Sequence, residues 1–162
     1  MNVRKIRQLG KDILTHHKRF NMCYWFTKIK TKDAAKWANH SLTDLPPCGT
    51  AACFAGHWAI RYREVDPGKL TQTDSMIHGN VEDSDGFYTS LSELCQNDLD
   101  LPNTYLFIHN DWPRRLRECQ AKAGTLAYAE HFTHTVLEDY IATNGWEGYT
   151  PASWWNAYKQ SG

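Results

Sequence analysis

The stretch at residues 125–143, TLAYAEHFTHTVLEDYIAT, is the clearest helical segment of the chain. Its apolar side chains recur at spacings of three and four residues, which places them on one face of an α-helix: Ala129, Phe132, Val136 and Tyr140. The opposite face carries polar side chains for which solvation is favoured over metal binding: His131, His134 and Glu138. The pair Asn144-Gly145 then predicts the end of the helix, because glycine readily adopts a left-handed backbone.

The remaining segments predict a mainly α fold, a single compact helical domain with at most one minor short β element. A chain of 162 residues has the usual size of one domain. Within the C-terminal half, we expect short helices over 90–97 and 103–110. Periodicity and turn residues divide the whole chain into five segments. The first two are a basic N-terminal helix over 3–18 and an extended segment over 20–26. A buried helix over 51–63, capped by Thr50, is followed by an acidic loop over 64–88 and a helical C-terminal half over 90–159.

Composition excludes several classes of protein. With 41% hydrophobic and 13% aromatic residues, the chain is unlike a disordered one. No apolar run approaches the roughly 18 residues that span a bilayer, and the N-terminus lacks the continuous apolar block of a secretory signal. We therefore expect a cytoplasmic protein without a membrane partner. Five scattered cysteines predict reduced thiols rather than a disulfide framework.

Charge is balanced overall but segregated along the chain. The 18 basic and 18 acidic residues exclude a uniformly basic nucleic-acid binder. Residues 1–40 nevertheless hold ten Lys or Arg against two acidic residues, whereas residues 64–111 hold ten Asp or Glu against Lys69. Each segment is a candidate surface for a partner of opposite charge, but mutual neutralisation of the two segments is the favoured interpretation.

The stretch CGTAACFAGHW at residues 48–58 is the most unusual part of the sequence. If Thr50 caps the helix, Cys53 lies in its first turn, where the helix dipole favours a thiolate. His57 follows four residues later and therefore lies on the same face.

Three interpretations of this stretch remain open. Cys48, Cys53 and His57 would supply three zinc ligands, although their spacing matches no standard zinc finger. Alternatively, Cys53 would act as a nucleophile, with His57 or a distant histidine (His109, His131 or His134) as base. The stretch resembles the Cys-Gly-x-Cys-Trp-Ala segment of papain-like proteases, with two residues more. The favoured interpretation is packing of a buried helix, with no catalytic residue, metal or cofactor.

A wider resemblance starts from the same stretch. CGTAACFAGH at residues 48–57 is similar to a CGTxxCxAGH motif of small uncharacterised bacteriophage and bacterial proteins. The shared pattern extends over roughly residues 20–143, and its further matches are Phe20, Met22, Trp25, Leu99, Leu101, Leu106, Phe107, Trp112 and Pro113. The resemblance implies a phage-like genetic setting, hence the host-cell cytoplasm, and transfers no catalytic residue.

These observations predict a non-catalytic phage accessory protein that binds and modulates a host macromolecule, such as a defence factor. The host partner is expected to be a protein, with nucleic acid or a nucleotide as alternatives. A thiol-dependent hydrolase and a binder of a nucleotide-like small molecule are the alternative functions. Basic side chains of the first helix and loop-associated indoles are the candidate binding residues: Arg4, Lys5, Lys11, Trp112, Trp154 and Trp155.

Overall fold

The computed structural model describes residues 1–22, 26–28, 50–66 and 79–151. It confirms a mainly α fold with minor β structure. The helices are α1 (Val3–Thr15), α2 (Phe54–Tyr62), α3 (Leu91–Leu99), α4 (Arg114–Arg117), α5 (Leu126–Glu130) and α6 (Glu138–Ala142). The strands are β1 (Phe26–Lys28), β2 (Thr50–Ala52), β3 (Asn80–Glu82) and β4 (Tyr88–Ser90), which form the antiparallel pairs β1–β2 and β3–β4.

Helix α1 forms where the periodicity predicts it and packs on the core. Its buried positions recur at helical spacing: Ile6, Leu9, Gly10 and Ile13. The Asn2 side chain caps its first turn by accepting a hydrogen bond from the Lys5 amide at 3.1 Å. The helix ends at Thr15 rather than at residue 18, and a 3₁₀ turn (His17–Arg19) follows.

The buried motif helix begins later than the sequence predicts. Thr50 is not its cap, because Thr50–Ala52 pairs with Phe26–Lys28 as a strand, and the Ala52 carbonyl accepts the Asn21 amide at 3.0 Å. Cys53 is the N-cap residue instead, with an extended backbone, and α2 runs from Phe54 to Tyr62. Pairing with a distant strand therefore overrides the local tendency of residues 51 and 52 to continue the helix.

The acidic segment contains a hairpin rather than an unbroken loop. Strand β3 pairs with β4 in the register Asn80↔Ser90, Val81↔Thr89 and Glu82↔Tyr88, and α3 follows β4 directly. Further along, residues 103–110 do not form the predicted α-helix. They form two 3₁₀ turns (Tyr105–Phe107 and His109–Asp111), because Asn103 turns the chain by accepting the Tyr105 amide through its own side chain.

The helix predicted over 125–143 is present as α5, a π-helical segment (His131–Leu137) and α6, with Thr125 as its cap. In π-helical geometry each amide bonds to the carbonyl five residues back. The buried pairs are Phe132 with Thr133 and Val136 with Leu137. The π-helical segment lies against Gly10 of α1, where an added Cβ would lie 2.9 Å from Thr133 Cγ2.

The end of this helix agrees with the prediction. Asn144 and Gly145 both have positive φ, at 47° and 75°, and the Gly145 amide donates to the Tyr140 carbonyl at 2.7 Å. A Cβ on Gly145 would overlap Pro102 Cγ. The end of the predicted helical C-terminal half, with Trp154 and Trp155, lies outside the described residues. Most buried apolar side chains of α1, α2, α3 and the long helix form one hydrophobic cluster.

Candidate functional site

Cys53 and His57 lie one helical turn apart at the start of α2, inside the core. The His57 amide donates to the Cys53 carbonyl at 2.9 Å, which closes the first turn of the helix. Cys53 is 2% exposed and His57 is 3% exposed. Solvent and substrate therefore have no access to either side chain in the folded protein as it stands.

Burial sets the protonation states of both groups. It raises the pKa of the Cys53 thiol to about 11, although the Gly56 and Ala55 amides at the helix start partly oppose it. Burial, together with smaller contributions from charge interactions with Arg19 and His16, lowers the pKa of His57 to about 3. Both groups are consequently neutral near pH 7, whereas a cysteine nucleophile needs a thiolate beside an imidazolium.

His57 also lies in apolar surroundings. Its ring stands edge-on to Phe20, with 5.9 Å between the ring centroids. Its Nε2 atom is buried and has no hydrogen-bond partner among the residues that the structure describes. A buried polar atom without a hydrogen-bond partner costs stability, so this atom of His57 destabilises the core.

The zinc interpretation cannot be assembled from the part of the chain that is described. Cys48 lies outside the described residues. Across residues 1–22, 26–28, 50–66 and 79–151, no group of three or more His, Cys, Asp or Glu side chains is arranged to hold a metal ion. The described cysteines are free thiols: Cys53, Cys95 and Cys119.

The other histidines considered as bases contact backbone carbonyls or solvent. His131 Nε2 lies 2.8 Å from the Leu116 carbonyl oxygen, and His109 hydrogen-bonds the Arg117 carbonyl. These two contacts satisfy carbonyls at the C-terminal end of α4, where histidine is a favourable capping residue. His134 is exposed. On the predicted polar face of the long helix, Glu138 forms an ion pair with Arg7 at 2.8 Å.

The candidate binding residues of α1 differ in their surroundings. Arg4 and Lys11 are exposed and form no ion pair with the described carboxylates. Lys5 instead pairs with Asp98 at 2.8 Å and lies 5.1 Å above the Tyr62 ring. Its side chain is still 34% exposed, so its role in binding stays a prediction. The contact between α1 and α3 shows how part of the basic segment is neutralised by the acidic one.

The candidate indoles do not supply an exposed binding surface in the described part of the chain. Trp112 is 1% exposed and donates from Nε1 to the Leu106 carbonyl at 3.1 Å, so it belongs to the core and its prediction as an interface residue is wrong. Trp154 and Trp155 lie outside the described residues. No indole among the described residues is exposed, so the stacking of a base on an indole, which the nucleotide-binding alternative assumes, has no support in that part of the chain.

Sequence reasoning missed Phe87 and Tyr88, the most exposed large hydrophobic side chains among the described residues, at 71% and 62%. They lie at the turn of the β3–β4 hairpin, beside the acidic run that starts at Asp83. Two adjacent aromatic residues inside an otherwise polar segment were the only sequence feature that pointed to them.

Comparisons with family models, with curated proteins and with solved structures find no match for this chain. The bacteriophage resemblance therefore stays a prediction. No helix in the described part of the chain is long and apolar enough to cross a membrane.

Proposed function

We propose that this protein is a non-catalytic binding protein that acts by attaching to a partner macromolecule. One contrast carries the proposal: Cys53 and His57, the candidate catalytic pair, are sealed in the core, whereas Phe87 and Tyr88 are left in water. Large aromatic side chains contribute strongly to binding when a partner covers them. A bacteriophage setting, a host target and an anti-defence role extend this proposal and are supported only by the CGTxxCxAGH resemblance.

Thiol reactivity tests the non-catalytic part of the proposal. Raising the pKa of Cys53 from 9.0 to about 11 reduces its thiolate fraction near neutral pH about a hundredfold. We expect iodoacetamide to label Cys53 at least that much more slowly than a free thiol, while the partly exposed Cys119 is labelled faster than Cys53. Peptide mapping after timed labelling measures both rates in the same sample. Rapid labelling of Cys53 in the folded protein would favour the hydrolase alternative.

Affinity capture tests the binding part. Tagged wild-type protein and the Cys53→Ala variant are incubated with a bacterial lysate, and bound macromolecules are identified by mass spectrometry and by nucleic-acid staining. We expect the same specific partner with both proteins, because Cys53 lies in the core and does not touch a partner. Hydrolysis of a lysate component by the wild type alone, without a retained partner, would contradict the proposal.

A further inference from the structure

The β3–β4 hairpin ends in a turn whose backbone is held in one conformation. Asp83 Oδ1 accepts the amides of Asp85 and Phe87, each at 2.9 Å. The Asp83 amide donates to the Phe87 carbonyl at 2.9 Å, and the Gly86 amide donates to the Asp83 carbonyl at 3.2 Å. A turn fixed by these bonds loses little conformational freedom when a partner binds, which favours affinity.

The base of the hairpin is tied to the body of the protein. The Leu91 amide, at the start of α3, donates to the Gly79 carbonyl at 2.7 Å. Leu91 itself is buried in the hydrophobic cluster. The hairpin therefore projects from a fixed support, and its tip presents Phe87 and Tyr88 in a defined position.

The tip is acidic as well as aromatic. Glu82, Asp83 and Asp85 are exposed, and within the described part of the chain none of them forms an ion pair. Glu82 stands directly opposite Tyr88 in the strand register, so charge and aromatic surface are adjacent. Unneutralised carboxylates repel the phosphates of nucleic acids and attract lysine and arginine side chains.

We propose that this tip docks on a partner protein whose surface combines large apolar side chains with surrounding Lys and Arg residues. Phe87 and Tyr88 pack against the apolar side chains, and the three carboxylates meet the basic rim. This inference rests on the proposed binding function and specifies the surface that performs it. Its architecture matches the usual division of an interface into an apolar centre and a polar rim.

A displayed library of random peptides, selected on the immobilised full-length protein, tests the chemistry of the partner. We expect selected peptides to combine Lys or Arg with large apolar residues. Phe87→Ser should weaken their binding by about tenfold or more, as loss of an interface anchor does. Glu82→Gln with Asp85→Asn should weaken binding mainly at about 50 mM salt and little at about 500 mM, because salt screens exposed charges. Asp83 is kept because its carboxylate holds the turn.

Leu126→Ser is the matched control, since Leu126 is also an exposed apolar residue but lies on α5. It should leave peptide binding unchanged. Phe87→Ser should leave the melting temperature within about 2 °C of the wild type, because an exposed side chain contributes little to stability. This measurement separates lost binding from lost folding.

The remaining outcomes overturn the inference. Peptides without basic enrichment, or peptides that bind Phe87→Ser as well as the wild type, refute the tip as the docking surface. Binding of a fluorescent single-stranded oligonucleotide that depends on Phe87 would assign the tip to nucleic acid instead. If Arg4→Ala with Lys11→Ala abolishes peptide binding and the tip variants do not, the tip inference fails while the proposed binding function stands.

Discussion

The pH dependence of stability measures how completely the core removes His57 from water. In the folded protein, burial and the positive charges of Arg19 and His16 hold its pKa at about 3, whereas in an unfolded chain a histidine titrates near 6.5. The unfolded chain therefore binds a proton that the folded protein does not. As a result, the contribution of His57 opposes folding increasingly as the pH falls from about 6.5 toward 3.

The size of this contribution follows from the two pKa values. One pKa unit corresponds to about 1.4 kcal/mol, so at about pH 5 the unfolded state gains about 2 kcal/mol from protonation of this one side chain. At about pH 3 the same protonation would lower the free energy of unfolding by between about 4 and 5 kcal/mol. Single domains are stable by only about 5 to 15 kcal/mol, so the effect is large enough to measure.

Urea denaturation at about pH 7.5 and about pH 5 gives the assay. The quantity compared is the loss in free energy of unfolding between the two pH values. In His57→Gln, which has similar volume and no titrating ring, that loss should be smaller than in the wild type by about 2 kcal/mol. His109 has a pKa lowered by burial and by Arg117, so it acts in the same direction, but it is present in both proteins and cancels.

His134→Gln is the matched control, because it also removes one histidine but at an exposed position. It should retain the full wild-type pH dependence. If His57→Gln retains that dependence as well, His57 is hydrated in solution and the sealed core inferred for α2 is wrong. An imidazole open to water beside Cys53 would then restore the catalytic interpretation.

Three further substitutions test the packing and the charges. Gly10→Ala should destabilise the protein by about 1 to 2 kcal/mol in urea denaturation, because the clash with Thr133 exceeds the gain of about 1 kcal/mol in helix propensity. The further substitution Thr133→Ser, which removes the clashing methyl group, should recover most of the lost stability. Gly145→Ala should cost about 3 kcal/mol or more, since it combines a positive φ with steric overlap, and a thermal melt unchanged from the wild type would contradict this. Asp98→Asn should cost about 0.5 kcal/mol more at low salt than at high salt, because its ion pair with Lys5 of α1 is partly exposed. A loss of about 1 kcal/mol should remain at high salt, because Asp98 Oδ2 also accepts a hydrogen bond from Nε1 of the buried Trp58 at 2.8 Å.

Local periodicity and caps allowed most of the helical structure to be predicted. The buried residues Ile6, Leu9 and Ile13 of α1 follow the three- and four-residue spacing. The long helix begins after Thr125 and ends before Gly145, as its cap residues predict. These features depend on residues within one or two turns of each other, so a single sequence contains the information that determines them.

Interactions between distant segments decided the rest. Pairing of β2 with β1 placed the N-cap of α2 at Cys53 instead of Thr50. The π-helical segment, which periodicity did not predict, lies against Gly10 of α1. The ionisation of Cys53 differs most between the prediction from the sequence and the folded structure. A helix start by itself favours its thiolate, but enclosure by the core raises its pKa, because desolvation of a charge outweighs a few favourable amide dipoles.

The sequence by itself therefore determined the helical class, the amphipathic faces and the proximity of Cys53 to His57 along one helix. Only the tertiary structure decided that this pair is buried and neutral, that Trp112 belongs to the core, and that Phe87 stays in water. The physical reason is that spacing along a chain specifies which side chains share a face, whereas access to solvent depends on every segment that folds over that face.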